Sequence, residues 1–324
     1  MKMRAFTYHR PTSLAEALAL LAEHGGDAKI IAGGQSLVPM MAMRLSTPEH
    51  LIDISAIDGL GEVTAAVVAD LGDTADASLA AVSANHDEHG HPIDLHGTVS
   101  VGAMVRHSAA ETNATIAGRV PLVAAAMPHI GHRAIRNRGT VCGSLAHADP
   151  AAELPAVALA LNATFVVGST SGTRLVPASD FFQGYLTADI RDGEMLTHVR
   201  FPMASPGTVV SVVEVSRRHG DFALAGVVAQ MVINESGTID AAAMAIFGVD
   251  AVPYRSAEAE AALIGYASTS DVFATAAEIM TRDLNPAADN HGSTAYRKHL
   301  AGVLVRRALA GAAGKISLTL GAVA

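Results

Sequence analysis

The sequence predicts an α+β protein, and three observations carry that prediction. Residues 13–55 read as helix, strand, glycine-containing loop and strand. Residues 195–310 give four apolar-rich alternating segments followed by three helical ones, and strands first with helices after them is the α+β order. The chain is also 50% hydrophobic over 324 residues, with mean hydropathy +0.32, which suits sizeable cores in about two domains.

Ser13 and Glu16 form a capping box, Leu14, Ala17, Leu18 and Leu21 share one helical face, and Gly25-Gly26 is the stop. Lys29-Ile30-Ile31-Ala32 reads as a buried strand, and the loop Ala32-Gly33-Gly34-Gln35-Ser36 follows it. Leu37 to Leu45 leads to a second strand, Leu51 to Ser55, so the loop lies at a strand end, where ligands tend to bind. Strand character returns at Val63 to Val68, Leu79 to Val82 and Thr98 to Val105. Helices are expected at Ser108 to Ile116 and Arg119 to Met127. Ile130 to Gly139 carries Arg133, Arg136 and Arg138, read either as an exposed turn or as charges for a phosphate or an acidic partner.

A second glycine-containing loop, Thr140-Val141-Cys142-Gly143-Ser144, continues into Leu145 to Pro150. Asp149-Pro150 is an apt cap and first residue for a helix reaching Leu161, with Glu153 in its first turn, where the helix dipole favours a carboxylate. Strands follow at Thr164 to Val167, Met195 to Phe201, Thr208 to Ser216, Phe222 to Ile233 and Ile239 to Phe247. The last helices are Ala257 to Ile264, Val272 to Met280 and Ala295 to Ala310. Small residues at the two loops let backbone amides converge on phosphate oxygens. Two such loops far apart in sequence suggest a clamp on a diphosphate.

Net charge is −9, which argues against a nucleic-acid partner, since such proteins present a basic face. The single cysteine, Cys142, excludes an internal disulfide, a four-cysteine zinc site and an iron–sulfur cluster. No apolar run reaches the length that spans a bilayer, and the first helix carries Glu16 and Glu23, unlike a signal peptide. The expectation is a soluble cytoplasmic protein. The stretch 62–97 is acidic and holds His86, His89, His91 and His96, but their spacing matches no zinc pattern, and no metal is assigned.

The stretches Ala32–Met40 (AGGQSLVPM), Leu51–Ser55 (LIDIS), Ile130–Gly139 (IGHRAIRNRG) and Thr140–Pro155 (TVCGSLAHADPAAELP) resemble the FAD-binding medium subunit of molybdenum hydroxylases. Looser matches are Arg217 to Ala223 and Tyr296 to Leu309 with its Arg306-Arg307 pair, so the resemblance covers nearly the whole chain. It implies a PCMH-type FAD-binding domain of two subdomains, 1–57 and 58–186, with an α+β domain at 187–324 closing over the flavin. It also implies that Ala32, Gly33, Gly34, Gln35 and Ser36 hold the pyrophosphate, with Leu37 at the cofactor wall. Thr140, Gly143 and Ser144 then lie near the pyrophosphate and ribityl chain, and His147 borders the cofactor. Glu153 stands where the family has an acidic residue on the adenosine ribose, and Ile130 and Leu196 where it packs apolar side chains near the isoalloxazine or adenine.

This sequence departs from the family at three points. Cys142 replaces a usual glycine, the 62–97 excursion is long, and Val213-Glu214-Val215 lacks a lysine often found near the flavin. The resemblance implies an electron-transfer subunit. A large molybdenum-pterin subunit and a small subunit with two [2Fe–2S] clusters would feed FAD, which would pass electrons to an external acceptor, in a dimer of heterotrimers. No catalytic side chain is expected. The alternatives are a stand-alone flavin oxidase of the same fold and a non-enzymatic nucleotide-binding module.

Overall fold

A computed structural model describes residues 2–67 and 97–320. The expected strand Leu79 to Val82 and the histidine cluster His86, His89, His91 and His96 lie outside the described residues. Three principal sheets organise the described residues. The first is parallel, in the order β1 (Thr7–His9), β3 (His50–Asp53), β2 (Ala28–Ile31). The helix Leu14–His24 covers it with Ala17, Leu18 and Leu21, which pack with Ala28, Ile52 and Ile54. Its capping is as expected: Ser13 Oγ accepts from the Glu16 amide at 3.2 Å, and Glu16 reaches back to the Thr12 amide at 2.9 Å. β1 escaped the sequence reading because a three-residue edge strand, Thr-Tyr-His, shows no apolar alternation.

The second sheet is antiparallel, in the order β4 (Val63–Val67), β5 (Gly97–Gly102), β10 (Met195–Pro202), β6 (Thr164–Ser169), β7 (Gly172–Pro177). Here the structure corrects an expectation. The alternation of Met195 to Phe201 groups it with the C-terminal strands, yet β10 pairs with β5 on one side and β6 on the other. Alternation reveals a strand but not its partners. A bulge at Thr197 leaves Met195, Leu196 and Thr197 all buried. The aromatic rings of Phe165 and Phe181 stack behind the sheet at 3.7 Å, with Phe182 edge-on to both. A two-stranded ribbon of β8 (Phe182–Gly184) and β9 (Thr187–Ala188) follows.

The third sheet, β11 (Thr208–Ser216), β12 (Ala223–Ile233) and β13 (Ile239–Phe247), is an antiparallel meander. Ala225, Val227, Ala229, Met231 and Ile233 of β12 form one face, covered by the helix Thr294–Leu320, against which the helix Ser270–Thr281 packs. On the other face Val210 and Val212 of β11 and Val228 of β12 join the core of the preceding unit, against the helices Pro121–Ala126 and Glu153–Ala160. A strand buried on both faces reads as a continuous apolar run.

Two helix readings also change. The expected helix Ser108 to Ile116 is two, His107–Thr112 and Ala114–Arg119, because Asn113 leaves the helical conformation and caps the second through the Ile116 amide at 3.0 Å. The helix expected at Asp149-Pro150 begins at Glu153 instead. Asp149 spends its carboxylate on the Ala151 amide at 2.9 Å, a local turn that competes with capping a helix there. Among the described residues no helix is long and apolar enough to cross a membrane.

Candidate functional site

The loop after β2 turns through Gly34, whose φ of +72° is the left-handed conformation that glycine accepts at least cost. Among the described residues the amides of Gly34, Gln35 and Ser36 donate to no protein acceptor, while Gln35 Nε2 holds the Gly33 carbonyl at 3.2 Å. A run of unclaimed amides around a left-handed residue is an anion nest.

Gly33 is buried for a different reason. A Cβ placed on it would lie 2.7 Å from Gly139 Cα and would strike the Arg138 carbonyl. The two glycine segments, far apart in sequence, therefore meet backbone to backbone. The Arg106 guanidinium donates to the same Arg138 carbonyl, and the His107 amide donates to the Gly139 carbonyl at 2.9 Å. Arg106 was not anticipated. Its bridge to Thr140 places it there, and nothing local in the sequence marks that pairing.

The second segment is the start of a helix rather than an open loop. Thr140 is the N-cap of Val141–His147, and its Oγ1 accepts from the Gly143 amide at 3.0 Å. A Cβ on Gly143 would sit 2.6 Å from that oxygen, so glycine is what lets the cap close. The Ser144 amide is engaged by the Thr140 carbonyl at 3.0 Å, and the helix ends beyond half-buried His147 at Ala148, in the left-handed region. Burial holds the His147 imidazole below its ordinary pKa, partly offset by Asp149.

Arg136, one of the three arginines in the lead-in, is committed to structure. It pairs with Glu111 at 2.9 Å and donates to the carbonyls of Ile130 and Gly131. The β11–β12 turn rests on this segment, with Gly220 packed against the His132 ring and Gly131. Ile130 and Leu196 are buried members of one core, and Leu37 opens the helix Leu37–Ala42 directly after the first loop.

Glu153 is only 8% exposed. Burial, reinforced by the neighbouring charge of Glu214, pushes its carboxyl up to about 7. Glu214 in turn lies 3.6 Å from His129 Nδ1, and that interaction raises the imidazole above its usual range. Because folding raises the Glu153 pKa, the native state binds the extra proton, and stability falls as pH climbs from the unfolded value toward 7. Glu153→Gln is expected to flatten that slope and to stabilise the protein above pH 7 by on the order of 3 kcal/mol, with little effect at acidic pH. Denaturant melts of the two proteins across pH would check it; parallel profiles would refute it.

Cys142, beside the Thr140 cap, is buried and donates to the Val101 carbonyl at 3.4 Å. Burial pushes its thiol up to about 12, so it stays protonated and unreactive at neutral pH. A thiol-specific reagent is expected to label the protein only after unfolding, and prompt labelling of the native form would contradict this burial.

A parallel sheet carrying a glycine nest, met by a second glycine segment on which an antiparallel sheet backed by helices rests its β11–β12 turn, has the make-up of a nucleotide-binding subunit. Residues 4–87 and 93–204 match the FAD binding domain in molybdopterin dehydrogenase, and residues 211–312 match the CO dehydrogenase flavoprotein C-terminal domain. The chain belongs to this family of FAD-binding medium subunits of molybdenum hydroxylases, and is an oxidoreductase flavoprotein subunit. It is 36% identical to the 6-hydroxypseudooxynicotine dehydrogenase complex subunit alpha of Paenarthrobacter nicotinovorans, over 96% of this chain and 95% of that protein. It is 34% identical to the carbon monoxide dehydrogenase medium chain of Hydrogenophaga pseudoflava, over 94% and 96%. The crystal structure of quinoline 2-oxidoreductase from Pseudomonas putida 86 superposes with a TM-score of 0.83 at 36% identity, covering 97% of this chain and 99% of that one.

Proposed function

We propose that this chain is the electron-transfer subunit of a molybdenum-containing dehydrogenase. It stands between two [2Fe–2S] clusters on a small partner subunit and an external acceptor, with substrate oxidised on a large molybdenum-pterin subunit. The observation that carries the reading is the contact of Gly33 with Arg138-Gly139, which makes one anion-binding surface from two segments. The nest amides of Gly34, Gln35 and Ser36 suit a diphosphate, and Arg106 beside them adds positive charge.

In this reading Ala32 to Ser36 grip the pyrophosphate, and Thr140, Gly143 and Ser144 border it and the ribityl chain. Leu37, Ile130 and Leu196 supply apolar walls, and His147 borders the cofactor. Glu153, held near neutrality by burial, accepts or donates a hydrogen bond at a ribose hydroxyl. Bound FAD supplies the redox chemistry, exchanging electrons singly or in pairs, while the protein supplies position and electrostatics. The units run from residue 1 to 57, from 58 to the β10–β11 connection, and from there to 324; sheet membership supports moving the second boundary from 187 to beyond Pro202. The assembly is a cytoplasmic dimer of heterotrimers.

The test is purification of the chain alone and in complex with its partners. The isolated chain should take up FAD and show flavin absorption bands. It should turn over no small alcohol, aldehyde or heterocycle with a dye acceptor until the partner subunits are added. Turnover by the chain alone would overturn the relay reading.

A further inference from the structure

Three histidines converge at the edge of the first sheet, away from the glycine nest. His9 ends β1, His24 ends the helix Leu14–His24, and His50 begins β3. All three are half-buried, and one ring nitrogen from each lies within 4.8 Å of the others. His9 Nε2 and His50 Nδ1 are 2.9 Å apart, sharing one proton. The His24 and His50 rings stack at 3.6 Å and 8°, and His9 lies 5.4 Å and 5.2 Å from their centroids.

Among the described residues none of the three has a carboxylate partner. The trio offers more imidazole lone pairs than the one shared proton satisfies. From this juxtaposition we infer a divalent transition-metal site of the zinc class, formed by His9, His24 and His50. Three neutral imidazoles with a water in the fourth position are a donor set that suits Zn²⁺, Ni²⁺ or Cu²⁺ and disfavours Mg²⁺ or Ca²⁺. Zinc–imidazole bonds of about 2.0–2.1 Å in a tetrahedron set the nitrogens roughly 3.4 Å apart. Closing the trio on a metal therefore needs His24 to swing out of its stack on His50 and the His9–His50 pair to open from 2.9 Å by about half an ångström. His24 sits on the last turn of a helix and not on a strand of the sheet, so turning its side chain breaks no strand pairing.

The site would act as a clip. Among the described residues β1 is a three-residue edge strand paired only with β3, and a metal would tie it to β3 and to the helix joining β1 to β2. His50 is level with Ala28, the first residue of β2, whereas the glycine nest follows Ile31 at the other end of that strand. The clip thus holds the subdomain that presents the nest without entering the cofactor site.

The experiment uses the untagged, metal-stripped chain with FAD bound, titrated with Co²⁺ and Zn²⁺. Four proteins are compared: wild type, His24→Gln, the double variant His9→Gln/His50→Gln, and a control with His86, His89, His91 and His96 all changed to Gln. Wild type and control should take up one equivalent of Co²⁺ with the visible bands of a tetrahedral nitrogen-rich site, and Zn²⁺ should raise their melting temperatures. His24→Gln and the double variant should bind about a hundredfold more weakly and lose the melting shift, with flavin absorbance unchanged in all. Should the double variant not fold, X-ray absorption of the zinc-loaded wild type decides, with three imidazoles expected in the first shell. Equal binding by wild type and His24→Gln, loss of binding in the control, or fewer than three imidazoles would overturn the site.

Discussion

Gly33→Val is expected to yield a protein that purifies without flavin. The valine Cβ would begin 2.7 Å from Gly139 Cα, and its two methyl groups have nowhere to go except by pushing the two glycine segments apart. Neither neighbour can give way cheaply, since the Arg138 carbonyl is held by Arg106 and the Gly139 carbonyl by the His107 amide. The nest would lose its opposing wall, while the third sheet and its helices, which have a core of their own, should keep their structure. Absorbance of the purified variant, together with circular dichroism and melting of the same sample, reads both outcomes. Retention of stoichiometric FAD would remove the nest from the cofactor site. Gly33→Ala should give an intermediate loss, because one methyl already exceeds the space but a smaller shift relieves it.

Arg255→Met should be strongly destabilising although it lies outside the nest. The guanidinium pairs in bidentate fashion with Glu260, at 2.8 and 3.0 Å, and also donates to the Leu159 carbonyl and Asn162 Oδ1. Glu260 is itself buried and accepts from the Met244 amide at 2.8 Å. One side chain thus anchors the third sheet to the last turn of the helix that begins with Glu153. Removing it leaves the buried Glu260 carboxylate without its counter-charge, which costs about 3–5 kcal/mol. For a unit of this size that lowers the melting temperature by on the order of 10 °C. Arg255→Met/Glu260→Met should recover part of the loss, since it removes the stranded charge. A single variant that melts within a degree or so of wild type would show that the fork is ornamental.

Much of the fold was legible where local chemistry decides it. The Ser13–Glu16 box, the Thr208–Ser216 strand and the Ile239–Phe247 strand are fixed by capping and by apolar run length, and the structure has all three. What the sequence hid is pairing at a distance. Nothing in Met195 to Pro202 announces two partners drawn from either side of a helical region. Nothing in Asp149-Pro150 says that the aspartate will prefer its own turn. The candidate site divides the same way. Glycine-rich segments are visible as strings, and their motifs carried the family resemblance. Arg106 against Arg138, and Glu153 facing Glu214 and His129, exist only once strands from separate parts of the chain are laid together.

The place of β10 bears on how the protein is made. It is the last strand of its sheet to leave the ribosome, yet it occupies the middle, between β5 and β6. Until residue 202 has emerged, the nascent chain holds two half-sheets, β4–β5 and β6–β7, each with an open inner edge that only this strand can close. Open edges are templates for pairing with other chains. A fragment ended near residue 187 should therefore aggregate during synthesis, whereas one extended just past β10 gains a closed sheet. The strand that local alternation groups with the next unit is the one that completes the sheet of the emerging domain.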